Sequence, residues 1–87
     1  MRQFEFRFWL ADDARDLDEW SHALYEAGGD DSTCGLQAGW PYVWFSREAV
    51  SLKEAIRLAR EQVQAAGLRV LRCEVDEEEM AAWAAKA

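Results

Sequence analysis

The chain has 87 residues, of which 51% are hydrophobic and 13% aromatic, and its formal net charge is −7. This length predicts one domain over residues 1–87 with a small core, and the composition excludes a disordered chain. The acidic balance argues against nucleic acid or an anionic membrane as the direct partner, because lysine and arginine bind phosphates.

The first two predicted elements are a strand and a helix. Residues 3–10 alternate between one face with Phe4, Phe6, Phe8 and Leu10 and another with polar residues and Trp9. This period of two predicts a strand with one buried face. The run from Asp16 to Glu19 is a capping box. Apolar residues at helical spacing come after it, and Gly28 follows them. We therefore predict a helix over 16–28.

The remaining elements complete a βαββαβ order. A second capping box at Ser51 begins the strongest helical pattern, and Gly67 ends it. The predicted elements are a weak strand over 32–38, a turn at Gly39, a strand over 41–46, a helix over 51–67, a strand over 68–75 and a short helix over 77–87 that carries Met80 and Trp83.

This order predicts an α+β, ferredoxin-like sandwich with an added C-terminal helix. Short connections and right-handed crossovers favour an antiparallel sheet of strand order 4-1-3-2 with both main helices on one face. The predicted core consists of Phe4, Phe6, Phe8, Leu24, Phe45, Ile56 and Val63.

Acidic side chains are concentrated in two blocks, which form the first candidate site. Residues 12–31 carry eight acidic side chains against Arg15 alone, and residues 74–87 carry five against Lys86. The first helix would separate its two acidic ends by about 18 Å, a spacing at which carboxylates can stand in for nucleic-acid phosphates. The alternative is ordinary solvated loops and helix caps. The candidate partner-binding residues are Asp12, Asp13, Asp30, Asp31, Asp76, Glu77, Glu78 and Glu79.

The open face of the sheet is the second candidate. We expect it to carry Arg7, Trp9, Tyr42, Trp44, Val70 and Arg72. Aromatic residues on central strands resemble the base-stacking surface of RNA-recognition domains, but the strand at 41–46 lacks their glycine-rich basic signature. We therefore expect the last helix to cover these rings through Met80 and Trp83, or a protein contact such as a homodimer.

Catalytic and metal chemistry have no clear residues in the sequence. His22 stands with Asp18 and Glu26 on one helix face, which is far short of a dedicated metal site. Cys34 and Cys73 fall on opposite edge strands, about 14 Å apart, too far for a disulfide. We expect both cysteines in the core, no cofactor, no enzymatic activity and, without a signal peptide or membrane span, a cytoplasmic location.

Three strings give the chain a family resemblance. They are F-x-F-x-F-x-L at 4–10, L-Y-E-A-G-x-D-D at 24–31 and F-x-R-E-A-x-S-L-x-E-A-I at 45–56. Together they resemble a small bacterial α+β domain that stands before a helix-turn-helix in predicted DNA-binding proteins. The resemblance covers most of residues 4–75 and implies the fold predicted above. The chain departs from it at Gly29, where the family tends to have cysteine, and we expect it to lack the DNA-reading part.

A second resemblance rests on size, charge and architecture alone. An acidic domain of under 90 residues looks like the phage-encoded anti-CRISPR proteins, some of which occupy the DNA-binding surface of a CRISPR effector complex. This implies a protein, acting in the host cytoplasm, that docks on a basic surface and blocks DNA recognition. The alternative is a dimerisation or sensing module of a transcription regulator or antitoxin that uses the aromatic sheet face.

Overall fold

The computed structural model describes residues 2–29 and 31–75, and these residues form the predicted βαββαβ arrangement. The elements are β1 Arg2–Leu10, α1 Leu17–Glu26, β2 Ser32–Gln37, β3 Trp40–Ala49, α2 Leu52–Ala65 and β4 Val70–Val75. Every strand pair is antiparallel and the sheet order is β2-β3-β1-β4, which is the predicted order numbered from the other edge. The helix predicted over 77–87 lies outside the described residues.

The core lies between one face of the sheet and both helices. Strand β1 contributes every second residue to it, and all of these are at most 4% exposed: Phe4, Phe6, Phe8 and Leu10. Trp20 and Leu24 come from α1, and four buried residues come from α2: Leu52, Ala55, Ala59 and Val63. The predicted core is confirmed except at Ile56, which is only partly buried because Ala55 takes the inward position on α2.

Both predicted helix starts are confirmed in atomic detail. Asp16 accepts a hydrogen bond from the Glu19 backbone N–H at 2.9 Å, and the Glu19 carboxylate accepts one from the Asp16 N–H at 3.3 Å. Ser51 caps α2 by accepting a hydrogen bond from the Glu54 N–H, but the capping box is not completed there, because the Glu54 carboxylate accepts hydrogen bonds from Arg57. The capping bonds satisfy backbone donors that the first helical turn leaves without a partner.

Strand β3 is longer than the sequence predicts. It continues past residue 46 to Ala49, because Gln3 and Arg2 at the start of β1 pair with Glu48 and Ala49. At its other end a tight turn joins it to β2, with positive φ at both Ala38 and Gly39 (53° and 82°). This combination is typical of a two-residue hairpin loop.

The cysteines occupy opposite edges of the sheet, as predicted, and both are free. Cys34 pairs with Val43 and Cys73 pairs with Phe8, so both lie on one row across the sheet. The expectation that both are core residues is wrong for Cys73, which is exposed on the edge strand β4. Desolvation by neighbouring atoms, with a smaller contribution from the charge of Glu74, raises the pKa of Cys73 to about 11. Neither described helix has the length and apolar character needed to cross a bilayer.

The aromatic core predicts a clear contrast between two truncations. Phe45 is fully buried and stacks on Phe6 with ring centres 5.5 Å apart. We expect Phe45→Ala to lower the free energy of unfolding by about 3–5 kcal/mol, measured by urea denaturation. The control is Leu58→Ala on α2, where the side chain is 42% exposed. It should change stability by about 0.5 kcal/mol or less. Equal effects would contradict the described core.

Candidate functional site on the open sheet face

The acidic residue Asp13 is neutralised within the chain. Its carboxylate accepts hydrogen bonds from Arg15 Nε at 2.7 Å, from Arg15 Nη2 at 2.9 Å and from the Arg15 backbone N–H at 2.9 Å. The same guanidinium donates through Nη1 to the Ala66 carbonyl at the end of α2, at 3.1 Å. These bonds lower the pKa of Asp13 to about 2. Asp13 therefore joins the loop after β1 to the C-terminus of α2.

Asp31 is also held in an internal ion pair. Arg47 donates to its two carboxylate oxygens from Nε at 2.9 Å and from Nη2 at 2.6 Å, and Nη2 also donates to Gln62 Oε1 at 2.7 Å. The guanidinium lies 4.6 Å from the centre of the Phe45 ring, and the Arg47 side chain is only 10% exposed. Asp31 thus compensates a nearly buried positive charge, which is costly to leave unpaired.

The structure therefore places the predicted acidic residues in different situations. Asp12 is exposed, Asp13 and Asp31 are paired with arginines, and five candidates lie outside the described residues: Asp30, Asp76, Glu77, Glu78 and Glu79. Strand pairing aligns Ser32, the residue after Asp31, with Val75 on the opposite edge strand. The row between them runs through Phe45 and Phe6. Three strand spacings, about 14 Å, separate these edges. Ser32 and Val75 therefore lie at the same end of the sheet but at opposite edges.

His22 is involved in a simple helix pair. Its Nε2 lies 3.5 Å from Glu26 Oε1, and both side chains are largely exposed. Within residues 2–29 and 31–75, no group of three or more His, Cys, Asp or Glu side chains has an arrangement that could hold a metal ion.

The open face of the sheet contains a more organised cluster around Arg7. The Arg7 guanidinium carbon lies over three aromatic rings, 4.7 Å from the centre of Tyr42, 5.3 Å from Trp9 and 5.4 Å from Trp44. All three distances are within the roughly 6 Å at which a cation is attracted to a ring face. Alternation in β1 and β3 brings the rings together, because Arg7 pairs with Trp44 and Trp9 with Tyr42.

Two residues of β2 support this cluster, and the sequence analysis did not identify either of them as a site residue. Gln37 accepts a hydrogen bond from Arg7 Nη1 at 3.2 Å. Gly35 lets the Tyr42 ring lie against the strand, since a Cβ there would be 2.6 Å from the Tyr42 hydroxyl oxygen. A glycine within a strand is a signal for such a close approach, but the sequence does not show which ring makes it.

Strand β4 contributes Arg72 but not Val70. Arg72 pairs with Trp9 and lies 5.6 Å from the centre of one ring of that indole. The prediction that Val70 faces the open side is wrong: it pairs with Leu10 and packs against the core. The physical reason is a register shift between Trp9 and Leu10, which adds a residue on β4 and reverses the alternation there.

Buried hydrogen-bond donors on this face lack acceptors. Among the described residues, Arg7 Nε and Trp9 Nε1 are buried side-chain atoms with no hydrogen-bond partner. An unsatisfied buried donor costs about 1–3 kcal/mol, so native proteins rarely leave one. Beside them Trp40 and Trp44 are 55% and 37% exposed. Exposed indoles of this size are typical of surfaces that contact other proteins.

Comparisons with protein-family models, with curated proteins and with solved structures found no match to this chain.

The Asp13–Arg15 pair predicts a pH dependence of stability. The folded-state pKa of Asp13 is lowered from 3.8 to about 2, so the pair stabilises the fold above pH 4, and this contribution is lost as the pH falls from 4 to 2. We expect the Asp13 carboxyl signal to titrate near pH 2 in an NMR titration of the folded protein. We also expect Asp13→Asn to remove part of the loss of stability between pH 4 and 2. An Asp13 titration near 4 would contradict the described pair.

Proposed function

We propose that the chain is a non-enzymatic binding protein that pairs with a second copy through its open sheet face, as the dimerisation module of a transcription regulator or antitoxin. The observation that carries this proposal is the pair of exposed indoles, Trp40 and Trp44, on the same face as the aromatic cluster around Arg7. A partner that covers these indoles removes their apolar surface from water.

The charges on this face favour a second copy as the partner. The open face presents Arg7 and Arg72 together with Glu5 and Glu74, and Glu74 pairs across the strands with Arg7. A two-fold dimer places one surface patch against itself, so a patch must contain both members of each contact. A face with arginines and glutamates around aromatic rings meets this requirement. The resemblance to a domain of predicted DNA-binding proteins is consistent with such a role.

The oligomeric state tests this proposal. We expect sedimentation equilibrium to give a dimer of the 10.0 kDa chain, with little dependence on salt because apolar contacts dominate. Trp44→Lys should weaken the dimer by a factor of about 10 or more, since it removes an interface tryptophan. The matched control is Val50→Lys, at a residue that is 75% exposed just after β3. A monomer at all concentrations, or equal effects of both variants, would contradict the proposal.

A second candidate function is docking on the basic nucleic-acid-binding surface of another protein, as in an anti-CRISPR-like inhibitor. Exposed acidic residues on α1 and the loop before it favour this candidate. Asp12 and Asp18 are exposed and make no ion pair within the described part of the chain. Together with the net charge of −7 they produce a field that steers the chain towards positive surfaces.

Competition against DNA tests the second candidate. The chain should displace DNA from the basic groove of a purified CRISPR effector complex, and more weakly as salt rises. We expect reversal of Asp12 and Asp18 together with Asp76, Glu77, Glu78 and Glu79 to abolish this displacement. Reversal of Lys53 and Arg60 on α2 serves as the control and should have little effect. Full inhibition by the acid-reversed variant would exclude acidic docking.

A further inference from the structure

The open sheet face carries two neighbouring grooves that the described residues leave unfilled. One has a volume of about 550 Å³ and is lined by Trp9, Gln37, Ala38, Trp40, Leu71 and Arg72. The other has a volume of about 310 Å³ and is lined by Glu5, Phe6, Arg7, Trp44, Glu74 and Val75. The buried donors Arg7 Nε and Trp9 Nε1 belong to residues that line these two grooves. An occupant that fills both grooves therefore needs two apolar groups.

The chain itself continues from the edge of the second groove. Strand β4 ends at Val75, which pairs with Phe6 and lines that groove. Twelve residues follow Val75 in the sequence, with the letters DEEEMAAWAAKA. This segment contains two large apolar side chains, Met80 and Trp83, and its carboxylates are hydrogen-bond acceptors.

The length of the segment matches the distance between the grooves. The pair Phe6 and Val75 is three residues from the pair Trp9 and Arg72, which is about 10 Å along the strands. In the helix that the sequence predicts over 77–87, Trp83 stands six residues after the helix start, a rise of about 9 Å. A helix that turned back from Val75 along the face would therefore bring Met80, close to its start, to the second groove and Trp83, farther along, to the first.

Charge contributes less to this match than apolar contact. Arg7 offers an unpaired donor, but Glu5 and Glu74 line the same groove as Arg7. Glutamates of the segment would lie near both positive and negative side chains in this groove, so their net electrostatic contribution to binding is small. Burial of a tryptophan and a methionine side chain removes a large apolar area from water and is the main favourable contribution. We therefore expect an interaction that depends little on salt.

We propose that residues 76–87 bind the open sheet face of their own chain, with Met80 and Trp83 in its two grooves. Because this inference rests on the proposed function, it also assigns the segment a regulatory role. The segment occupies the surface that a second copy would use, so self-association requires its displacement. The chain then carries its own competitor for the dimer contact.

A spin label tests the position of the segment. The label is attached at Ala85→Cys, two residues after Trp83 on the other side of the predicted helix, in the background Cys34→Ser and Cys73→Ser. We expect paramagnetic loss of the indole N–H signals of Trp9 and Trp44, with a smaller effect on Trp20. Trp20 is the control because it is buried in the helix layer behind the sheet. Unaffected Trp9 and Trp44 signals would overturn the proposal.

An isotope mixture separates binding within one chain from binding between two copies. Unlabelled protein that carries the spin label is mixed with ¹⁵N-labelled protein that does not. Retention of the Trp9 and Trp44 signals in the mixture supports binding within the chain. Their loss in the mixture would overturn the intramolecular form and identify a second copy's segment as the occupant.

A second variant avoids the cysteine substitutions. In the otherwise unchanged full chain, Met80→Ala with Trp83→Ala should shift the Trp9 indole signal and strengthen dimerisation several-fold in sedimentation. Ala81→Ser with Ala84→Ser is the matched control and should change neither. A Trp9 signal that does not shift would overturn the proposal. A shifted signal with no dimer in any variant would keep the intramolecular contact and contradict only the proposed self-association.

Discussion

The alternation of side chains along β1 is the constraint on which the rest of the structure depends. This strand is central and pairs with both β3 and β4, so its phase determines which residues face the helices on three strands. Phe8 lies beside Val43 and Cys73, whereas Arg7 lies beside Trp44 and Glu74. A slip of one residue would move Arg7 into the core and expose the phenylalanines. The hydrophobic core and the aromatic cluster are therefore two consequences of one register.

Ion pairs with arginine residues change how the acidic blocks are interpreted. Arg15 and Arg47 each bind one of the predicted docking carboxylates with two hydrogen bonds, and both also contact a second element of the fold. Arg57 pairs with Glu54 and Glu61 along α2 in a similar way. The net charge still produces a long-range field, but the two paired carboxylates serve the internal structure. Among the described candidates for docking, Asp12 in the loop before α1 is exposed and is not held by an arginine.

The two proposed functions use opposite sides of the molecule. Acidic docking uses the helix side, where α1 presents its outer face, whereas self-association uses the sheet side with its aromatic cluster around Arg7. Exposed indoles distinguish the two sides, because Trp40 and Trp44 lie on the sheet side. Exposed apolar surface is more informative about a missing partner than exposed charge, because charge is stable in water without one.

The order of elements, the strand order, both helix starts and nearly all of the core could be predicted because they depend on local patterns. Capping boxes at Asp16 and Ser51, alternation in β1 and short connections leave few other arrangements. Three features could not be predicted: the extension of β3 to Ala49, the register shift opposite Trp9 and the exposure of Cys73. Each depends on what neighbouring strands place beside a residue.

The candidate site also has features that the sequence predicts and features that only the structure shows. The sequence alone determined that Arg7, Trp9, Tyr42 and Trp44 share one face, because alternation in two strands is a local property. Only the tertiary structure decided that Arg7 lies among three rings, that Gln37 and Gly35 support them, and that Asp13 and Asp31 are bound by arginines. The physical reason is that contacts between side chains depend on the register of paired strands and the packing of helices, which the periodicity of a single segment does not contain.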